Sequence, residues 1–369
     1  GVLAGLPGFR PAPIHTVHPL PSVGAGLLAA LGTVAALFGR EQTGKGRLVG
    51  TSLLAGALIY HPKVVGAHLA PNPFQTNPFG SAPFYSVYAC ADGAWVQLGC
   101  VHPGFIARAA AVMGLSEMIA DPVYGRGQMP QTPEADNALR AALTDVMAQR
   151  PYAAWETTFE AHDIPYARAR TTEEALDDPQ IAHNEMLVRL DDPVDGPVEQ
   201  MGIPIKMSAT PGHLRGPRAA TLSDPLARPA NASCDQPGAG RTPDVAADDG
   251  AGVGDPAAAP LAGVRVLEIT NLIAGPVATR LLADLGADVM KLEPPQGDIS
   301  RPIGRTYFYS LNFDKRAVSL DTGTPEGKRA VARLAATCDV MLANLRPGAT
   351  ERMKIGNTFM PDLIETQIS

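Results

Sequence analysis

The chain is short of several things. Aromatic residues make up only 5% of its 369 residues, and its four cysteines, Cys90, Cys100, Cys234 and Cys338, stand far apart. No CxxC pair occurs, so neither a zinc site nor a disulfide framework is indicated. A reducing, cytoplasmic setting is the default expectation. GxGxxG, a P-loop, GxSxG and HExxH are all missing. That excludes the usual signatures of a dinucleotide fold, a Walker NTPase, an α/β-hydrolase and a zincin. Positive charge is not in excess either: 30 Lys and Arg face 37 Asp and Glu, for a net charge of −7. Nothing global therefore points to nucleic acid. His15 and His18 are the one possible metal pair. They lack nearby Cys or carboxylates, so ordinary surface histidines and no metal are expected.

Charge is also absent from Pro11 to Gly39, which includes GAGLLAALGTVAALF. A membrane span needs about 20 strongly apolar residues. The dense part here is shorter, rich in Ala and Gly, and preceded by Pro19 and Pro21. Leu27, Leu31, Val34 and Phe38 recur at helical spacing, which predicts a core helix buried on most sides and no membrane contact.

What is present is an unusual order of parts. Gly44 and Gly46 stop the first helix after Arg40-Glu41, and Ser52 caps a second over Leu53 to Leu58. Residues 1–60 read as the middle of a large domain. Residues 61–83 carry five prolines and read as a connector. Residues 84–200 read as a small α+β domain. It opens with a hairpin turning at Asp92-Gly93 and continues through helices from Pro103, Glu134, Tyr152 and Glu173. Val188 to Leu190 and Pro204 to Met207 read as strands, and 201–229 as a return toward the large domain. Residues 230–259 hold almost no large apolar side chain and read as a disordered linker.

From 260 to 369 strands and helices alternate: strands at Val264–Thr270, Asp288–Glu293, Ala317–Leu320 and Asp339–Ala343, helices opened by Pro276 and Thr324-Pro325. The pattern predicts an α/β fold with a doubly wound parallel sheet, Rossmann-like, beside the smaller domain. The beginning of such a domain thus follows the middle and end of a comparable one. The order predicts a piece of a longer tandem protein holding non-overlapping parts of two copies.

Ligands of such sheets bind beyond the strand C-termini. The first loop there is Asn271-Leu272-Ile273-Ala274-Gly275-Pro276, where exposed N–H groups could receive an anion; a plain βα turn fits the spacing equally well. Lys315, Arg316, Arg346 and Arg352 could grip a phosphorylated ligand. Spacing alone fits solvated surface charges better. Glu160, His162 and Asp163 could be acid/base groups, although a solvated helix end is the better expectation.

Three stretches, LAGVRVLEITNLIAGPVATRLLADLGADVMKLEPPQGD, YFYSLNFDKRAVSLDTGTPEGK and CDVMLANLRPGATERM, resemble in order the N-terminal part of the family III CoA-transferases. That family includes formyl-CoA transferase, carnitine CoA-transferase and α-methylacyl-CoA racemase. AGLLAALGTVAALFGREQTGKGRLVGTSLL and FYSVYACADGAWVQLGC resemble later parts of the same family, as do IPYARARTTEEALDDPQIAHNEMLV and GPVEQMGIPIKMSATPG. The resemblance implies coenzyme A and acyl-CoA as substrates, no tightly bound cofactor, and a carboxylic acid as CoA acceptor. It implies CoA contacts at Asn271, Leu272, Ile273 and Ala274 and near Lys315 and Arg352. It further implies a dimer of interlocked rings, or an intramolecular pseudo-dimer in a tandem chain.

The family's nucleophile is an Asp that attacks the thioester to form a mixed anhydride and then an aspartyl-CoA thioester. Its position here is Ser22, and no Asp lies between Gly1 and Gly50. The first copy is therefore expected to be a degenerate partner. A racemase, isomerase or lyase on the same fold, or a scaffold half, stays open.

Overall fold

The computed structural model describes residues 18–60, 80–127, 130–214, 259–303 and 305–368. The expected linker, His15 and most of the expected connector lie outside the described residues. The fold is mixed α/β.

Helix α1 (Leu20–Thr43) ends at Gly44, whose left-handed backbone (φ 70°) lets its N–H reach Arg40 O. Ser52 caps α2 (Leu53–Leu58) by accepting from Ala55 N. The two helices pack glycine to glycine: a Cβ on Gly24 would lie 2.3 Å from Gly56 O. The expectation of burial fails here. Only Gly24, Ala35 and Gly39 of α1 are buried, while Leu27 is 61%, Val34 64% and Phe38 42% exposed. The helix meets its neighbours through its small residues and leaves its large apolar ones outside. By length and composition α1 is long and apolar enough to cross a membrane.

Strands β1 (Gly80–Ala82), β2 (Tyr85–Ala89), β3 (Trp95–Leu98) and β4 (Tyr166–Ala169) form an antiparallel sheet in that order. The β2–β3 hairpin turns at Asp92-Gly93, with Gly93 at φ 81°. Helices α3 (Pro103–Val112), α4 (Ser116–Ala120), α5 (Pro133–Met147) and α6 (Tyr152–Ala161) accompany the sheet. Their shared core includes Val96, Leu98, Leu143, Trp155 and Phe159. Inside it Arg140 pairs with Asp136 at 2.7 Å and donates to Ser86 Oγ at 2.6 Å, tying α5 to β2. Two short helices follow, α7 (Thr172–Leu176), opened by a Thr171/Glu174 capping box, and α8 (Pro179–His183). A two-stranded ribbon, β5 (Leu187–Asp192) with β6 (Gly196–Met201), comes next. The expected strand at Pro204–Met207 does not form; β6 lies earlier, where the turn at Pro193–Asp195 sets its register against β5.

The remaining strands are β7 (Arg265–Ile269), β8 (Asp288–Glu293), β9 (Lys315–Ser319), β10 (Val340–Ala343) and β11 (Ile364–Gln367). They form one parallel sheet in the order β11-β10-β7-β8-β9. The chain leaves β7 toward β8 and β9, then returns to place β10 on the other side, so the switch point lies between β7 and β10. Helix α9 (Ala274–Asp284) covers the face carrying Val266 and Val289. Helix α12 (Pro325–Ala335), after the short α10 (Ser300–Ile303) and α11 (Arg305–Leu311), covers the face carrying Leu267, Ile269 and Met341. The last helix, α13 (Ala349–Met353), follows β10.

Candidate functional site

The loops at the switch point are joined by one side chain. Asn344, just after β10, accepts from Asn271 N at 2.9 Å and donates to Asn271 O at 2.8 Å. Both bonds fix the loop after β7 to the loop after β10. Spacing does not single out Asn344, whose one sequence signal is its place between a strand and Arg346. Leu272 takes a left-handed conformation (φ 65°), and α9 begins at Ala274 without a side-chain cap. Ile273 and Ala274 are exposed at this helix start. Gly275 makes the sharp entry possible, because a Cβ there would lie 2.3 Å from Thr270 Cβ. The result is a tight loop at the positive end of a helix.

Beneath the loop lies a buried charge network. Lys291 Nζ is 2.8 Å from Glu268 Oε1 and donates to Thr270 O at 2.9 Å. It also faces Asp298 Oδ2 at 2.8 Å as an ion pair rather than along a hydrogen-bond direction. Lys315 Nζ is 2.9 Å from Glu268 Oε2 and donates to Pro276 O at 2.9 Å. Thr270 and Thr279 donate their hydroxyls to the two Glu268 oxygens, each at 2.7 Å. Burial alone would raise the Glu268 carboxyl, but the Lys291 and Lys315 ammoniums overcome it and hold the group below its ordinary range. Asp298 is likewise lowered, Lys291 outweighing burial. Lys315 is lowered to about 8, because burial outweighs the attraction of Glu268. Every ammonium in this network is spent on the carbonyls and carboxylates that hold the loop.

The four cations singled out by spacing part company. Lys315 has a side chain 1% exposed and belongs to the network. Arg316 is exposed at the opposite end of the sheet, where it pairs with Asp288 at 2.5 Å. Arg346 follows Asn344 by two residues and reaches Asp163, at the end of α6. Arg352 is exposed at the end of α13, its guanidinium lying against Gly348, where an added Cβ would approach it to 3.0 Å. The structure thus brings Asn271, Leu272, Ile273, Ala274 and Arg346 to one pair of loops, with Arg352 on the helix that follows. Arg316 lies elsewhere.

Ser22 is exposed in the first turn of α1. Glu160 accepts from the Tyr166 hydroxyl at 3.3 Å, and His162 Nδ1 is 2.9 Å from Thr158 O. Among the described residues no group of three or more His, Cys, Asp or Glu could hold a metal ion. Cys100 is buried, and burial pushes its thiol up to about 12, which leaves it no thiolate character near neutrality.

The model of CoA-transferase family III matches residues 2–220 and 261–368. The formyl-CoA:oxalate CoA-transferase of Streptomyces avermitilis is 47% identical over 100 residues, which span 25% of this chain and 24% of that protein. The succinyl-CoA:glutarate CoA-transferase of Mus musculus is 44% identical over 105 residues, 26% of this chain and 24% of that one. The chain thus spans about a quarter of the length of the curated relatives it matches. Among solved structures, a CAIB/BAIF family protein from Brucella suis is 34% identical with a TM-score of 0.29, covering 30% of this chain and 33% of that one. A hypothetical protein (Rv3272) from Mycobacterium tuberculosis is 41% identical with the same TM-score, covering 30% and 33%.

Proposed function

We propose, on the premise that this chain belongs to CoA-transferase family III, that its parallel sheet cradles the nucleotide end of a CoA thioester. The whole protein would then move CoA from an acyl-CoA to a carboxylic acid. The observation that carries the reading is the stapled loop pair at the switch point. Asn344 locks Asn271 in place, and the uncapped start of α9 faces the crevice where ligands of such sheets bind. Leu272, Ile273 and Ala274 would lie along the ligand, with Arg352 offering a guanidinium to a phosphate. Formyl, oxalyl, succinyl and glutaryl groups are the acyl classes suggested by the relatives.

The finer architecture goes with this. The parallel sheet would be a doubly wound, Rossmann-like large domain and the antiparallel unit its smaller α+β domain. The two matched blocks, 2–220 and 261–368, support a tandem arrangement in which each belongs to a different copy. An interlocked dimer or intramolecular pseudo-dimer in the cytoplasm, without contact to a membrane, completes the reading.

In the family's transfer an aspartate carboxylate attacks the thioester carbonyl and expels the CoA thiolate. The thiolate then attacks the anhydride at the aspartyl carbonyl and releases the donor acid. The acceptor carboxylate repeats both steps in reverse. Ser22 cannot take this role, since its hydroxyl has no carboxyl carbon to form the anhydride or to carry CoA as a thioester. The aspartate must come from another copy of the fold. The residues present here would bind and orient: the loop pair fixes the nucleotide, and the network under it keeps those loops from relaxing.

Incubating the protein with an acyl-CoA and a labelled carboxylic acid tests the proposal. Label appearing in a CoA thioester is the expected result. Exchange of the α-proton without label transfer would point instead to a racemase on the same fold. Thioester binding with neither reaction would point to a scaffold half, the reading that the Ser22 substitution favours.

A further inference from the structure

The loop after β10 reaches across to the antiparallel unit, and one carboxylate receives it. Arg346 Nη2 donates to Asp163 Oδ2 at 3.0 Å and to Oδ1 at 3.3 Å. Arg108, from α3, donates from its Nη2 to the same Oδ2 at 3.0 Å and to Asp163 O at 2.9 Å. Both guanidiniums lie over the ring of Phe105, 4.8 Å from its centroid for Arg108 and 5.6 Å for Arg346. Asp163 itself sits at φ 51°, in the left-handed region that Asp and Asn visit more readily than other residues with a Cβ. The three charged side chains are 44%, 66% and 62% exposed, so solvent and solutes reach all of them.

The charges do not balance. Two guanidiniums share the single negative charge of one carboxylate and its two oxygens, with the Asp163 carbonyl as a third, neutral acceptor for Arg108. Paired guanidiniums on an aromatic face are suited to a group with more of both, and a phosphate monoester brings close to two negative charges and three oxygens. Solvent screens ion pairs as exposed as these, so Asp163 is held weakly enough to be exchanged.

We propose that Arg108, Arg346 and Phe105 form a phosphomonoester site spanning the two sheets, and that Asp163 fills it as an internal stand-in until a nucleotide phosphate displaces it. This rests on the CoA reading above, and the occupant it implies is the 3′-phosphate of the CoA nucleotide. Arg346 is two residues from the Asn344 staple, so the site borders the proposed cradle. Occupation would release Asp163, and with it a charged tie between the antiparallel unit and the β10 loop.

Titration calorimetry on the full chain with adenosine 3′,5′-bisphosphate, CoA and dephospho-CoA is the test. Asp163→Asn keeps the shape and removes the competing charge. It should tighten adenosine 3′,5′-bisphosphate and CoA about five- to tenfold and leave dephospho-CoA unchanged. Arg108→Gln and Arg346→Gln should each weaken the first two by a similar factor. All three positions are exposed, and circular dichroism checks that the variants fold. If wild type binds CoA but Asp163→Asn leaves or weakens bisphosphate affinity, the stand-in idea is wrong while the CoA reading survives. Should the same gain appear for dephospho-CoA, the 3′-phosphate is not the occupant and the proposal falls. If wild type binds no CoA species, the functional reading itself fails.

Discussion

Replacing Lys291 by Met removes the one ammonium that bridges Glu268, Asp298 and the Thr270 carbonyl. The methionine fills similar volume, so little cavity is left. The electrostatic loss is large. Glu268 keeps Lys315, but Asp298, whose side chain is 1% exposed, loses the cation opposite its Oδ2. Stranding a buried charge in this way costs about 3–5 kcal/mol. Both tryptophans, Trp95 and Trp155, lie in the antiparallel unit, so intrinsic fluorescence would not see the change. Native-state amide exchange on β7 and β8 would. Faster exchange there by roughly two to three and a half orders of magnitude is expected. Adding Asp298→Asn removes the stranded charge and should restore at least about 1 kcal/mol. A Lys291→Met effect below about 1 kcal/mol, or no recovery in the double variant, would refute the view that this ammonium carries both carboxylates.

Lys315 should make stability rise with pH. Its folded value is near 8 against an ordinary 10.5, so between those limits the unfolded chain binds more protons and the penalty on the buried charge fades. Unfolding free energies from denaturant titrations between pH 7.5 and 10 should climb in wild type by an amount on the order of 1–3 kcal/mol and stay flatter in Lys315→Met. Asn344→Ala should cost about 1–3 kcal/mol by leaving both Asn271 backbone groups without their partner, and should weaken CoA binding in calorimetry. Gly275→Ala forces a Cβ into Thr270 and should cost about 1–3 kcal/mol in thermal melts with loss of the same binding. Leu27→Lys, at an exposed site, should change stability by less than about 0.5 kcal/mol and lower binding of an apolar dye; a larger loss would mean that the residue is covered.

Local chemistry was the legible part of the sequence. The parallel strands fell close to where alternation placed them, because β-rich runs are bounded by Gly, Pro and Asp. Gly44, Ser52, Gly93 and Thr324 cap or turn as their side chains or backbone freedom dictate. The loop after β7 could be located for the same reason, since Gly275 and Pro276 mark a strand-to-helix turn. Long-range choices were not legible. The apolar period of α1 suggested burial, but which face is covered depends on what packs there, and Gly24 and Gly56 decided it. Lys315 looked like a ligand cation because nothing nearby in sequence shows Glu268, 47 positions earlier, waiting to receive it. The signal that was available is Glu268 and Lys291 standing among Val, Leu, Ile and Met in the middle of their strands. Charges there need each other. Tyr166–Ala169 carries no strand signal in the sequence, because Arg168 leaves it no apolar alternation, and its backbone pairing with β3 holds it in place.

The Asn344 amide has a mechanical consequence. Because it grips the donor and the acceptor of a single residue on the far side of the switch point, neither loop can shift alone without giving up both bonds. The two therefore travel as one rigid jaw. A ligand touching either one reports its arrival to both.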